Sequence, residues 1–332
     1  MKKFLFTFGL ITMVCVVSAQ TETYAEKLGF PKGAIVLILH VDDVGMSYDS
    51  NMGAIKATEK GVATSMSVMM PCPWVPNFVH YLKNHPETDA GLHLTLNAEW
   101  KEYRWGPISG KLNVPNLVDE EGAMWHSVKE TLDHATPDDV EKEIRGQLER
   151  ARAMGFNPTH LDSHMGTIFA RPDYLERYIK LGIEQHIPVM FPGGHDYMIM
   201  RSGAALSLEK AQAIGKMLWA AGLPVLDDLH NDSYNWSIEK AANLNDKDLQ
   251  AFKTQKYIES FKDLKSGVTM VIMHCTETTE VFQQITDSGL IRKSDLLAML
   301  DPVLKKYIQD NGIILTTWRE LKQRRDKIVN DK

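Results

Sequence analysis

Short apolar runs recur along the chain, and between them apolar residues return at the spacing of an amphipathic helix. The runs are Ala34–Leu39, Val62–Val68, Ala90–Leu96, Thr159–Asp162, Ile187–Phe191, Leu223–Leu226, Val268–Met273 and Ile313–Leu315. Several are continuously apolar rather than alternating, which suits strands of a parallel sheet covered on both faces. The helical segments carry end signals. Thr136-Pro137-Asp138-Asp139 supplies an N-cap, a proline in the first turn and two acids at the positive end of the helix dipole, and Gly155 stops that helix. Pro172 opens another that runs to about His186, and Thr317 with Glu320 reads as a capping box for the last. Gly61 and Gly312 stand where helices hand over to strands. This alternation implies right-handed crossovers and an α/β fold. Eight such runs allow an irregular, TIM-like (β/α) barrel, with an open doubly wound sheet as the competing topology. Two connections, Asn97–Ala135 and Pro192–Ser207, are too long for simple loops and are expected to carry function or small elements of their own. No repeat, low-complexity segment or linker divides the chain, so a single domain is expected.

The first residues stand apart from this rhythm. Lys2 and Lys3 precede an uncharged apolar run, Phe4–Val17, and Val17-Ser18-Ala19 supplies the small residues a signal peptidase reads. Residues 1–19 are therefore expected to be a signal peptide, with 20–332 exported to the periplasm or beyond. The run is too short to span a bilayer stably, so no transmembrane span is expected in the mature chain. Composition adds exclusions. The 332 residues are 44% apolar and 24% charged, and 37 Lys and Arg against 43 Asp and Glu give a net charge of −6. These values exclude a disordered, collagenous or coiled-coil chain, and mild acidity argues against nucleic acid as a partner. Once Cys15 leaves with the leader, Cys72 and Cys275 remain. They form no zinc framework, and stand either as one disulfide or as two buried small hydrophobes.

Candidate chemistry gathers where the apolar runs end. His40-Val41-Asp42-Asp43 follows the first, His93 lies in Gly91-Leu92-His93-Leu94-Thr95-Leu96, His160-Leu161-Asp162-Ser163-His164 closes the fourth, and His274 follows Val271-Ile272-Met273. In parallel α/β proteins the carboxyl edge of the sheet is where ligands bind. His-x-Asp-x-His on an extended strand turns three polar side chains to one face, because the strand period is two. A metal ion or a polar network satisfies such a face. Asp42 and Asp43 could divide two tasks, one as ligand and one as free base. Two imidazoles and a carboxylate make an open catalytic site for a divalent ion. His80, His85, His126, His134, His186 and His230 read as surface or loop residues.

With Val41-Asp42-Asp43-Val44-Gly45-Met46-Ser47, Asn51-Met52-Gly53-Ala54-Ile55, Gly61-Val62-Ala63-Thr64-Ser65, the His93 segment and Pro158-Thr159-His160-Leu161-Asp162-Ser163-His164, the chain resembles the YdjC-like carbohydrate deacetylases, which remove acetyl groups from N-acetylated sugars. The resemblance extends from about Ile35 to the last strand and is similar in motif order and approximate spacing. It implies an irregular TIM-like barrel, a deacetylase-like catalytic domain over 20–332, and one divalent ion, zinc or magnesium, held by Asp43, His93 and His164. It further implies Asp42 as general base and His274 as the acid for the departing amine, with His160 and Asp162 orienting the ligands. The chain departs from the family pattern in Met165-Gly166-Thr167-Ile168, where relatives often carry a further histidine, and in Cys275-Thr276, where they commonly carry Pro-Gly.

The implied reaction is hydrolysis of the N-acetyl amide of an amino sugar. Trp100, Tyr103 and Trp105 lie close together after the third run and are candidates for a wall against the sugar ring. Two other classes compete: a metal-dependent esterase or phosphoesterase on the same barrel, and a non-catalytic exported carbohydrate-binding protein.

Overall fold

The apolar runs fold as parallel strands, and the sequence between them as the helices that return the chain. The computed structural model describes residues 22–203, 206–236 and 244–331; the expected signal peptide lies outside them. The strands are β1 (Ile35–Val44), β2 (Ser65–Val68), β3 (Ala90–Leu94), β4 (Leu161–Ser163), β5 (Asp228–His230), β6 (Gly267–Met273) and β7 (Ile314–Leu315). They form one sheet in the order β4-β3-β2-β1-β6-β5, with β7 beside the start of β1. All pairings are parallel, and the sheet curves into a half-barrel surrounded by helices. The helices are α1 (Tyr24–Lys27), α2 (Tyr48–Glu59), α3 (Val75–Asn84), α4 (Val128–His134), α5 (Pro137–Ala153), α6 (Pro172–Gln185), α7 (Tyr197–Arg201), α8 (Leu208–Ala220), α9 (Asp246–Phe261), α10 (Glu280–Gln283), α11 (Gly289–Met299), α12 (Pro302–Asp310) and α13 (Trp318–Asn330). Among the described residues no helix is long and apolar enough to cross a membrane.

Two expected strands are corrected. Ile187–Phe191 makes a single parallel bridge, Leu161 to Val189, and Leu223–Leu226 makes one from Leu226 to Pro192; the regular strand begins two residues later, at Asp228. Pro188, Pro192 and Pro224 punctuate these runs, and a proline has no N–H to extend a ladder. The bridges still matter. Leu161 N donates to Pro188 O, Met190 N to Leu161 O and Gly193 N to Leu226 O, so segment 187–193 spans the gap between β4 and β5. The two long connections carry α4 with a 3₁₀ turn at Pro115–Leu117, and α7.

All but one of the capping signals act as read. Thr136 and Asp139 form a reciprocal capping box on α5, Gly155 follows it at φ +82°, and His186 ends α6 in the left-handed conformation. Thr317 accepts from Glu320 N, but the Glu320 carboxylate turns to Arg324 and Thr316, so that box is half formed.

Alternation along the strands divides the core. Leu37, Leu39, Val41, Leu92, Val271 and Met273 join the larger apolar cluster with the helices, while Val36, Ile38, Met270 and Ile272 form a separate interior cluster with Trp318 and Leu28. The interior is itself two-sided. Toward β2, β3 and β4 it carries Ser65, Ser67, His93, His160 and Asp162; toward β5 and β6 it carries Leu229, Met270 and Ile272, with Met190 from the bridging segment. Cys72 and Cys275 are both buried free thiols.

Candidate metal centre

In a regular strand Asp42 and Asp43 would point to opposite faces. Here the pairing of β1 with β2 slips between Val41–Met66 and Val44–Val68, so two residues of β1 stand against one of β2. This is a β-bulge. Asp43 adopts φ +64°, a conformation that non-glycine residues hold only where their surroundings enforce it. As a result both carboxylates reach the same ring nitrogen: Asp42 Oδ2 lies 3.8 Å and Asp43 Oδ1 3.3 Å from His93 Nε2. Gly45, at φ +87°, continues the turn and donates its N–H to Asn51 Oδ1 at 2.7 Å. Asn51 donates in turn to Trp74 O and Asn77 Oδ1, locking the bulge to α2 and α3.

His164 Nδ1 approaches the same Asp43 Oδ1 at 3.2 Å. The ligand atoms of Asp43, His93 and His164 lie within 4.8 Å of one another, and all three residues are buried. Asp43 Oδ1 has no hydrogen-bond partner despite its burial. A buried carboxylate oxygen left without a partner between two imidazole nitrogens fits a cation, and one carboxylate with two imidazoles is a donor set for a divalent ion. The other oxygen, Oδ2, accepts from Arg292 Nη1 at 2.6 Å. Burial opposes ionisation of Asp43, but the Arg292 guanidinium and contacts with His164 and His93 outweigh it and hold the carboxyl well below the usual range.

Each imidazole is gripped at its far nitrogen. His93 Nδ1 lies 2.6 Å from Asp162 Oδ1, and His164 Nε2 lies 3.0 Å from Glu99 Oε2. Such carboxylate partners fix ring orientation and raise ligand basicity. Burial would lower the pKa of His164, yet Glu99 and Asp43 push it up to about 9.

Asp162 thus stands directly against His93. His160 stands further off: its Nε2 is 3.9 Å from Asp162 Oδ2, and its ring stacks on Trp318 with centroids 5.2 Å apart. It fills the space beside Gly91, where a Cβ would sit 2.5 Å from the ring. His40 stands closer, with Nε2 3.0 Å from Asp162 Oδ2 and 3.2 Å from Asp42 Oδ1, and Ser65 and Ser67 against its two nitrogens. Burial disfavours its charge, but Asp162 and Asp42 push its pKa up to about 9. Glu99, Arg292 and His40 received no role from sequence. Only His40 carried a signal, being two residues before Asp42 on one strand face.

His274 follows β6, with Nε2 3.9 Å from Asp43 Oδ2, and its backbone N–H donates to Asp295 Oδ2 at 3.1 Å. Its Nδ1 is buried without a partner, and Tyr234 packs edge-on at 5.0 Å between centroids. Burial, then Arg292, lower its pKa. A cavity of about 500 Å³ opens over Asp42, Asp43, His93, His164, His274 and Arg292. The expected aromatic wall stands beside Arg292 and His164. Trp100, Tyr103 and Trp105 pack on one another off the cavity lining, with Tyr103 OH donating to Met46 O and Trp105 Nε1 to Asn97 O. Backbone occupies the polar atoms of Tyr103 and Trp105, while Trp100 packs on both and lies 5.7 Å from the Arg292 guanidinium carbon. His230, read as a surface residue, is buried in β5 against Trp236.

The sequence matches the family model of the YdjC-like proteins over residues 36–310. A carbohydrate deacetylase of Brevibacillus brevis is 35% identical over 285 residues, which is 86% of this chain and 99% of that one. A carbohydrate deacetylase of Thermoanaerobacter pseudethanolicus is 23% identical over 286 residues, again 86% and 99%. The crystal structure of an Enterococcus faecalis protein provisionally assigned to cellobiose-phosphate cleavage overlays with a TM-score of 0.69 at 20% identity, covering 87% of this chain and 99% of that one, and shows the shared fold. With a family match over most of its length and relatives aligned along nearly their whole length, the chain belongs to the YdjC-like protein family.

Proposed function

We propose that this protein is a metal-dependent carbohydrate deacetylase that hydrolyses the N-acetyl amide of an amino sugar, and that it acts after export. The reading is carried by the convergence of Asp43, His93 and His164 around a carboxylate oxygen that lacks a hydrogen-bond partner, beside a second carboxylate at Asp42. Family membership and the name of the Brevibacillus relative support the substrate class.

Asp43, His93 and His164 would hold one divalent ion; two imidazoles favour zinc, with magnesium as the alternative. When bound, such an ion supplies Lewis-acid polarisation of a carbonyl and lowers the pKa of water. The remaining work falls to the chain. Asp42 faces the cavity and accepts the proton of the attacking water, while His40 and Ser67 hold its Oδ1. As oxygen bonds to the amide carbon, the C–N bond breaks and His274 delivers a proton to the departing nitrogen. The depressed pKa of His274 makes its imidazolium, once formed, a stronger donor. Glu99 and Asp162 hold the two imidazoles in place, and Arg292 holds Asp43.

The test is metal analysis of the purified protein together with acetate release from N-acetylglucosamine oligomers, run beside acetyl and phosphate esters. One equivalent of divalent ion, and acetate release that a chelator abolishes, are expected. Absence of stoichiometric metal, or turnover of the esters alone, would overturn the reading.

A further inference from the structure

The cavity over the candidate metal centre has two unlike parts. Around the carboxylates and imidazoles it is charged, and Asn231, Tyr234 and Asn235 add polar groups. Elsewhere its wall is hydrocarbon: Phe169, Met190, Phe191, Ile199, Met200 and Ala211. These residues come from the turn after His164, from the bridging segment 187–193, and from α7 and α8, on the side where the sheet lacks a regular strand. They continue the apolar half of the barrel interior, since Met190, Leu229 and Ile272 belong both to that interior cluster and to the cavity wall.

A sugar ring carries hydroxyls around its rim, and each one buried needs a hydrogen-bond partner. The hydrocarbon wall offers almost none. The ionisable side chain on this side is Asp196, whose Oδ1 has no partner; burial, then Asp228 and Asp227, push its pKa up to about 7, so below that pH it presents an uncharged carboxyl. A concave apolar wall of this kind is complementary to an alkyl or aryl group. Trp100, Tyr103 and Trp105 stand on the charged side, beside Arg292 and His164, and contribute nothing to this hydrocarbon lobe.

We propose that the amide substrate carries a hydrocarbon chain that lies in this lobe, either as an acyl group longer than acetyl or as an apolar aglycone on the amino sugar. This rests on the deacetylase reading for its chemistry, which is unchanged: the amide C–N bond breaks, and water supplies oxygen to the carbonyl carbon and a proton to nitrogen.

Two substrate series separate the sources. One extends the amide from N-acetyl- through N-butyryl- to N-hexanoyl-glucosamine; the other keeps the acetyl group and extends the glycoside from methyl through butyl to hexyl. In one series kcat/KM is expected to rise on the order of tenfold for each two methylenes buried. Ala211→Phe, which fills the lobe, is expected to flatten that rise. A flat or falling trend in both series, with N-acetylglucosamine oligomers still turned over, overturns the lobe proposal and leaves the deacetylase reading standing. If no amide is hydrolysed the deacetylase reading has failed, and calorimetry decides the lobe, comparing hexyl with methyl glycoside and N-hexanoyl- with N-acetyl-glucosamine: tighter binding of the longer member of either pair by on the order of tenfold or more supports it, and equal binding within both pairs overturns it.

Discussion

Arg292 Nη1 lies 2.6 Å from Asp43 Oδ2, while Oδ1 of the same carboxylate faces His93 and His164. The pair joins α11 to the end of β1 across 249 residues of sequence, and both members are buried. Removing one partner of a buried ion pair typically costs about 3–5 kcal/mol, because the remaining charge has no water around it. Arg292→Gln is therefore expected to lower the melting temperature of chelator-treated protein. A divalent ion at Asp43 replaces the missing positive charge, so the deficit is expected to shrink when zinc or magnesium is added. Thermal melts of both proteins with and without metal check this; equal melting temperatures in chelator would remove the ion pair from any role in stability.

Asp42 and Asp43 are neighbours with different surroundings. Asp43 is bound to Arg292 and flanked by both imidazoles, whereas Asp42 meets His40 and Ser67 at one oxygen and faces the cavity with the other. Asp42→Asn keeps the shape and removes the base. Metal content is expected to stay at the wild-type level while kcat for acetate release falls about 10²–10⁴-fold. Unchanged kcat at full metal content would remove Asp42 from the proton transfer.

What the sequence revealed, and what it hid, follows from how each residue gets its position. Asp43, His93 and His164 were legible because strand ends of a parallel sheet converge at one edge, and that edge can be read from apolar runs. Arg292 was not, since it reaches the site from the interior of α11, and nothing in Gly289–Met299 distinguishes an arginine aimed at β1 from one aimed at solvent. Period-two reasoning would have sent Asp43 away from Asp42; the bulge that reverses this is a tertiary feature fixed by Asn51 and β2. The lost fifth strand has a local cause, the prolines at 188 and 192. The aromatic loop was legible as a cluster only, because clustering in sequence does not say whether rings face a ligand or one another.

Gly91 owes its identity to His160. A Cβ there would lie 2.5 Å from the imidazole, which is itself stacked on Trp318 and cannot retreat. Alanine in a strand interior ordinarily does better than glycine, so the expected loss has to come from the clash. Gly91→Ala is expected to cost about 1–3 kcal/mol by overpacking. In a His160→Ala background the same change is expected to cost much less, a coupling that denaturant melts of the four proteins measure. Equal cost in both backgrounds would place the strain somewhere other than the His160 ring.

Asp196 makes stability depend on pH in the opposite sense to an ion-paired carboxylate. Burial, then Asp228 and Asp227, raise its folded pKa from 3.8 to about 7, and its Oδ1 is unpartnered. The folded state thus holds this proton more tightly than the unfolded chain. The stability it contributes is fully present below pH 3.8 and is lost as pH rises through about 7. Asp196→Asn cannot ionise, so its melting temperature relative to wild type is expected to climb between pH 4 and pH 7 and level off above. Melts of both proteins in chelator across that range make the comparison, since the groups of the metal centre, and Asp227, Asp228 and His195 nearby, are common to the two. A constant difference at every pH would mean that Asp196 titrates like an exposed carboxylate and that the wall it lines is wetter than its burial indicates.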